Sequence, residues 1–321
     1  MKIAFSPSIY EHAAFLLGRT PWEVSRSAEL LFQAHALAYR TYHHSPIVVG
    51  IDIYNLEAEA YGCTVERPGG HGIPAITRPL FHSLREARTL QPFDPATAGR
   101  LPQVIAAGRE LRKAFPQARV CVPVSGPFSI AVSLRGLTGL LTEVGQSPQA
   151  VREFLMQLVE GQVRFGRAIV EAGLEVAFFE SAAAPPLLSP RQFREVELPA
   201  LKEALVRVGE VAGQPLPCII GGDTEPILEE ILSTGTRFVI CPAETDAEAF
   251  LARLGQRQEV QVRVNLDPRT VASGSRTEIL AAVDRVLELA QGRPNILLGT
   301  GAVPYETPPE NILLIRDYAA S

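Results

Sequence analysis

Carboxylate and amide side chains recur immediately after short, β-branched apolar runs. Asp52 follows IVVGI (47–51), with Asn55, Glu57 and Glu59 just beyond it, and Glu180 follows EVAFF (175–179). Further along, Asp223 closes Gly221-Gly222-Asp223, Glu244 follows Pro242, Asn265 and Asp267 stand in NLDP (265–268), and Thr300 lies between Gly299 and Gly301. Groups of this kind gathered at one place can serve as general acids and bases, hold a cation, or accept hydrogen bonds from amide or pyrrole N–H groups. Asp52, Glu180 and Asp267 are the candidate catalytic groups. Asn55, Glu57, His71, Asp223, Asn265, Thr300 and Tyr305 are the candidate substrate contacts.

Each of these residue types also has a purely structural use. Asp223 precedes Thr-Glu-Pro and a helix and could cap it. Asn265 and Asp267 could shape an Asx turn before Pro268. Asp52 ends an apolar run, so it should be partly buried, where an unpaired carboxylate is costly; a ligand-facing role is expected. Glu57 and Glu59 lie on a short helix beyond it, with one of them expected to face solvent. All six histidines fall between His12 and His82. His43-His44 reads as a solvated turn, whereas His71, in PGGHGIP (68–74), could close over a ligand. The sequence contains no GxSxG, P-loop or HExxH motif and no Cys/His set at zinc spacing.

The elements that must carry these residues alternate regularly. Strands are expected at 2–6, 46–51, 119–124, 175–179, 216–220, 237–241, 260–264 and 295–298. The runs IVVGI, VCVPV, CIIG, RFVIC and VQVRV show little polar alternation, the pattern of strands buried on both faces of a parallel sheet. Helices are expected at 21–42, 95–115, 148–172, 190–212, 225–234, 247–255, 276–292 and 309–319. In 148–172 the residues Val151, Phe154, Leu155, Leu158, Val159 and Val163 make one apolar stripe. Ser147-Pro148 and Ser189-Pro190 read as N-cap plus first-turn proline, and Gly173, Gly235 and Gly255 as helix ends. Eight strand–helix units predict an α/β chain folded as a single (β/α)8 TIM barrel over residues 1–321. A doubly wound open sheet is disfavoured, because no glycine-rich turn follows an early strand.

Composition narrows the function classes. With 321 residues, 46% of them hydrophobic and 20% charged, the chain can fill a core and carries no disorder signature. Its formal net charge of −5 argues against a phosphate-gripping nucleic-acid binder. No apolar run reaches the roughly 20 residues that cross a bilayer, and the N-terminal residues do not read as a signal peptide. Cys63, Cys121, Cys218 and Cys241 form no CxxC pair, so core thiols in a reducing cytoplasm are expected.

Several longer segments resemble the uroporphyrinogen decarboxylase superfamily, which includes methyltransferases that move methyl groups to or from a corrinoid protein. The carriers are GIDIYNLEAEAYGC (50–63), VSGPFSIAVSLRG (124–136), LSPRQFREVELPALK (188–202), GGDTEPIL (221–228), NLDP (265–268) and LGTGAVPYETPPENI (298–312). The resemblance implies a (β/α)8 barrel. The decarboxylases grip substrate carboxylates with N-terminal arginines, and KIAFSPSIYEHAAF (2–15) has none; their tyrosine and histidine are matched by Ser133 and Thr300, while their aspartate survives as Asp52. The coenzyme M methyltransferase branch is more similar. Its zinc ligands, a His-x-Cys pair and a final Cys, are matched by Ile219, Gly221 and Thr300, so zinc is not expected at that site. The resemblance therefore implies a methyltransferase using a corrinoid (cobalamin) carried by a partner protein and a small methylated substrate, with Asp52, Asn55 and Glu180 orienting that substrate and carboxylates protonating a methoxy oxygen. A tetrapyrrole-modifying lyase and a barrel that binds a corrinoid or tetrapyrrole without catalysis are the alternatives. A homodimer is compatible with the family.

Overall fold

The computed structural model describes residues 2–321. All eight expected runs form strands: β1 (Phe5–Ser8), β2 (Ile47–Val48), β3 (Val120–Ser125), β4 (Glu175–Glu180), β5 (Cys218–Ile220), β6 (Phe238–Cys241), β7 (Gln261–Leu266) and β8 (Ile296–Ala302). Every strand pairing is parallel. One sheet runs β1-β8-β7-β6 and the other β2-β3-β4-β5, so the strands make two four-stranded parallel halves where one uninterrupted ladder was expected. The shortest strands, β2 and β5, lie at the edges where the halves meet. Pro46, Pro215 and Pro217 flank them and lack the amide hydrogens a ladder requires. Isolated hydrogen bonds join the halves there: Ser6 Oγ donates to the Ser45 carbonyl at 3.1 Å and Thr236 Oγ1 to the Leu216 carbonyl at 2.7 Å.

Alternation along each strand divides the core. Phe178 and Cys218 pack outward against the helices, in the main core cluster. Cys121, Ala177, Phe179, Ile219 and Ile240 point the other way and meet Tyr10 and Ile53 in a smaller cluster between the two sheets. Tyr10 and Phe179, from opposite halves, stack edge to face with centroids 6.3 Å apart.

Helix boundaries follow local chemistry more closely than hydrophobic periodicity. The expected 21–42 helix is broken at Arg26-Ser27 into Pro21–Ser25 and Ala28–Tyr42. Thr20 forms a capping box with Glu23, and Ser27 accepts from the Leu30 amide, so a second cap interrupts the apolar stripe. The 95–115 helix starts only at Leu101, because Gly99 has φ +51° and brings its backbone against the Ala60 amide. The 190–212 segment contains a π turn at Phe193–Glu197. Pro199 cannot donate to the carbonyl four residues back, which accounts for the widened turn. Ser189 caps its helix as expected, but Ser147 makes no side-chain cap to Pro148–Glu171. Four α-helices, Glu11–Leu16, Pro127–Arg135, Leu137–Gln146 and Pro268–Ser273, lie outside the expected set. No described helix is long and apolar enough to cross a membrane, and all four cysteines are buried and free.

Phe178 is fully buried between β4 and the helices. Phe178→Ala should cost about 3–5 kcal/mol in urea denaturation; a loss below about 1 kcal/mol would show that this layer is not close-packed.

Candidate active site

A cavity of about 430 Å³ opens at the C-terminal ends of the strands, between the two sheets. A second, of about 370 Å³, lies at their N-terminal ends, and Ser8, Tyr10, Phe179, Ile219 and Arg263 border both. Of the residues singled out from sequence, Asp52, Asn55, Glu244 and Asn265 line the C-terminal cavity.

Asp52 borders this cavity with a carboxylate that is already fully engaged. Arg100 Nη1 and Nη2 donate to its two oxygens at 2.7 Å each, and Asn55 Nδ2 donates to Oδ2 at 3.0 Å. The Arg100 guanidinium also reaches Glu59, which in turn accepts from Arg26. Neither Asp52 nor Arg100 has a side chain more than 3% exposed. This bidentate geometry compensates the desolvation of both charges. Asn55 continues the chain of contacts by donating to the Pro74 carbonyl at 2.7 Å, which fixes the start of the loop after His71.

Glu57 and Glu180 are buried on the helix side of the sheet, away from the cavity lining. Glu57 accepts from the Ser125 amide at 2.7 Å and hydroxyl at 2.8 Å, while burial raises its pKa to about 7. Glu180 accepts from the Ser129 amide and hydroxyl and the Ala182 amide, and faces the carboxyl of Glu197. Glu197, on the π turn, finds no donor among the described residues for either oxygen; desolvation and the neighbouring Glu180 raise its pKa well above the usual range. Glu197 therefore keeps its proton beside the Glu180 carboxylate. Gly126 makes room for it, since a Cβ there would overlap Glu180 Oε2.

The remaining candidates are engaged elsewhere. Asp267 is exposed and caps the Pro268–Ser273 helix through the Thr270 amide at 3.0 Å. Asp223 caps no helix through its side chain and is half-buried beside the cavity-lining Gly221 and Gly222. Thr300 accepts from the Ser8 amide at 3.1 Å and its carbonyl accepts from Ser8 Oγ, tying β8 to β1. His71 stacks on Tyr305 with centroids 4.7 Å apart, and Tyr305 donates to the Arg19 carbonyl.

Two cavity residues carry chemistry that the strand-end pattern did not reveal. Glu11 opens the helix after β1, is 6% exposed and has no cationic partner among the described residues, and burial raises its pKa to about 7. A carboxyl that keeps its proton close to neutrality beside an open cavity can donate it. Arg263 lies on the inner face of β7, where its Nε donates to Asn265 Oδ1 at 3.0 Å. Sequence signals for both existed: Glu11 follows β1 as Asp52 follows β2, and Arg263 is a charge inside the apolar run VQVRV.

Comparison with known proteins agrees with this framework. The uroporphyrinogen decarboxylase (URO-D) family model matches residues 7–321. The chain belongs to this family. It is 25% identical over 258 residues to the methylcobamide:CoM methyltransferase MtaA of Methanosarcina barkeri, covering 79% of this chain and 73% of that protein. It is 29% identical over 178 residues to the uroporphyrinogen decarboxylase of Nostoc punctiforme, covering 54% of this chain and about half (48%) of the relative. In fold it is similar to a methyltransferase from Methanosarcina mazei, with a TM-score of 0.85 and 20% identity over 99% of this chain and 93% of that one.

Within this URO-D family chain, the three positions matched to zinc ligands do not fit a zinc ion. Ile219 packs in the inner apolar cluster, Gly221 has no side chain, and Thr300 is committed to Ser8. No group of three or more His, Cys, Asp or Glu among the described residues is placed to hold a metal.

Arg100→Met would leave Asp52 as a buried carboxylate without its cation, while Glu59 keeps Arg26; a loss of about 3–5 kcal/mol is expected in chemical denaturation. Glu11 provides a pH signature. Its pKa is about 7 in the folded chain against 4.5 for an ordinary glutamate, so the folded state binds more protons between those values. The favourable contribution of its buried, protonated form is complete below pH 4.5 and is lost as pH rises through 7. Glu11→Gln should therefore gain stability relative to wild type over that window, by about 3 kcal/mol at most. Parallel stability–pH curves for the two proteins would show that Glu11 is not desolvated.

Proposed function

We propose that this protein is a methyltransferase that moves a methyl group between a small methylated compound and a corrinoid carried by a partner protein. The two sheets would act together as one (β/α)8 barrel domain over residues 1–321, in a cytoplasmic enzyme with its C-terminal cavity as the active site. The observation that carries the reading is that cavity's pairing of a desolvated, protonatable Glu11 with room for a small molecule. The likeness to a methylcobamide:CoM methyltransferase over 79% of the chain supports the class.

The chain's own groups divide the work. Glu11 delivers a proton to the heteroatom that leaves the methyl group. In the methoxy case a partner-borne cob(I)alamin would take up the methyl group with the C–O bond electrons left on the oxygen, and Glu11 would supply that oxygen's proton. Asp52, clamped by Arg100, holds Asn55 in place, and Asn55 through Pro74 holds the cavity's outer wall. Ile73, Pro74 and Ala302 give the opening an apolar lip suited to excluding water when the partner docks. Glu180 and Asp267 act as positioning residues in this reading, through the Ser129 helix and the loop after β7.

The test is cobalt absorbance. Protein mixed with cob(I)alamin and a panel of methyl ethers and methylamines should convert the cob(I) spectrum to that of methylcobalamin with at least one donor. In Glu11→Gln that rate should fall by about 10²-fold or more, and wild-type turnover should decline as pH rises above about 7. Absence of any cobalt change, together with tight binding of a free tetrapyrrole, would overturn the reading in favour of a tetrapyrrole-modifying lyase or a non-catalytic binding barrel.

A further inference from the structure

Arg263 sits where a positive charge is hardest to hold. It projects from the middle of β7 into the space between the two sheets and is 6% exposed. Its single hydrogen bond among the described residues runs from Nε to Asn265 Oδ1 at 3.0 Å, which leaves Nη1 and Nη2 without an acceptor there. Its titratable neighbours are the phenols of Tyr10 and Tyr54, which burial keeps neutral, so no charge offsets its desolvation there. The contrast with Arg100, which is equally buried and matched by two carboxylates, is direct. A guanidinium that stays charged in such a place needs an anion.

The surroundings are built to hold the side chain in this position. Asn265 lies two residues further along β7, so the Nε bond turns the guanidinium toward the C-terminal ends of the strands and the cavity there. On the neighbouring strand, β8, Gly299 pairs with Asn265. A Cβ at Gly299 would overlap Arg263 Cδ and lie 2.8 Å from Asn265 Oδ1, so only glycine leaves the channel through which the arginine stem passes. Tyr10, Phe179 and Ile219 form an apolar collar at the same level.

We propose that Arg263 is the anchor for a carboxylate on the small substrate, which it grips with the free Nη1 and Nη2 edge at the floor of the C-terminal cavity. This inference rests on that cavity being the substrate site and adds the substrate's class: a small molecule with a single anionic end, its methyl-bearing end directed outward toward Glu11 and the opening. The described lining has one unmatched cation, so a substrate with many carboxylates would leave most of them unpaired. Planar, two-pronged recognition favours a carboxylate over a point charge.

The experiment is titration calorimetry on the full-length chain with methoxyacetate, acetate and benzoate, against methoxyacetamide, acetamide and benzamide as neutral counterparts. Wild type should bind at least one carboxylate at least tenfold more tightly than its amide. Arg263→Met should lose that preference while retaining its fold by circular dichroism and, freed of a buried charge, melting at or above the wild-type temperature. Arg263→Lys, which keeps the charge without the fork, should bind carboxylates more weakly than wild type and more tightly than Arg263→Met. Arg237→Gln, in the cavity at the opposite strand ends, should bind as wild type does. Equal affinity for acids and amides, undiminished binding in Arg263→Met, or loss of binding in Arg237→Gln would each overturn the proposal. Because binding is read without a corrinoid, carboxylate capture with no cobalt chemistry would leave this assignment standing and remove only the methyl-transfer reading.

Discussion

Asp52 and Arg100 are joined by two parallel hydrogen bonds at a point where neither can reach water, and much of the site's architecture depends on that match. The strand β2 is only two residues long and cannot by itself fix the Asp52–Ala60 segment beyond it. The ion pair does so, because Arg100 stands at the start of the Leu101–Ala114 helix and simultaneously holds Ser25, Asp52 and Glu59. Two segments distant in sequence, at Ser25 and at Asp52–Glu59, are thereby locked to one guanidinium. Desolvation makes the arrangement all-or-none: with every partner present the charges are satisfied, and with one missing the others are left in a low-dielectric interior without compensation.

The same constraint sorts the acidic residues that cluster after the strands. Asp52 is matched by Arg100, Glu59 by Arg26 and Arg100, Glu180 by the Ser129 amide and hydroxyl and the Ala182 amide, and Asp267 by a helix terminus. A sequence rich in strand-end carboxylates therefore yields a cavity much less acidic than its composition suggests. Beside the cavity stands one group at each extreme: Glu11, which escapes the cost of burial by holding its proton, and Arg263, which cannot lose one.

The strands were legible because buried parallel strands are contiguous and β-branched, as VCVPV and VQVRV are, and each begins and ends within a few residues of where those runs do. Closure was less legible, since it depends on pairing between β1 and β2 and between β5 and β6, segments whose prolines and short length weaken the ladder without changing their apolar character. Helix interiors agree with periodicity, but the breaks at Ser27 and Gly99 come from a cap and a positive φ that a stripe of apolar residues cannot express. Among site residues, Asp52, Asn55 and Asn265 were legible because position after a strand determines proximity to the cavity. Which face a side chain takes is a separate matter, decided by the two-residue period. Phe179 points inward and Glu180 outward, so adjacent residues diverge. Glu197 and Arg100 were not legible because their partners, Glu180 and Asp52, are distant in sequence, and no local pattern encodes such a match.

The contacts made at Ile219, Gly221 and Thr300 follow a physical logic of their own. A zinc site requires several ligands aimed at one point, and loss of any one leaves the others as desolvated polar groups without a partner. At these three positions no such remnants persist. Ile219 completes the apolar collar with Tyr10 and Phe179, the Gly221 amide donates to the Glu180 carbonyl, and Thr300 exchanges hydrogen bonds with Ser8 across β1 and β8. Ile219 and Thr300 are thus committed through their side chains and Gly221 through its backbone amide, so none of the three offers a metal a ligand atom. The polar chemistry of the cavity lies instead on other residues. Glu11 comes directly after β1 and Arg263 stands on β7, the two strands that pair with opposite edges of β8. A ligand seated between them would span the same strand ends that Ile219, Gly221 and Thr300 help to hold together.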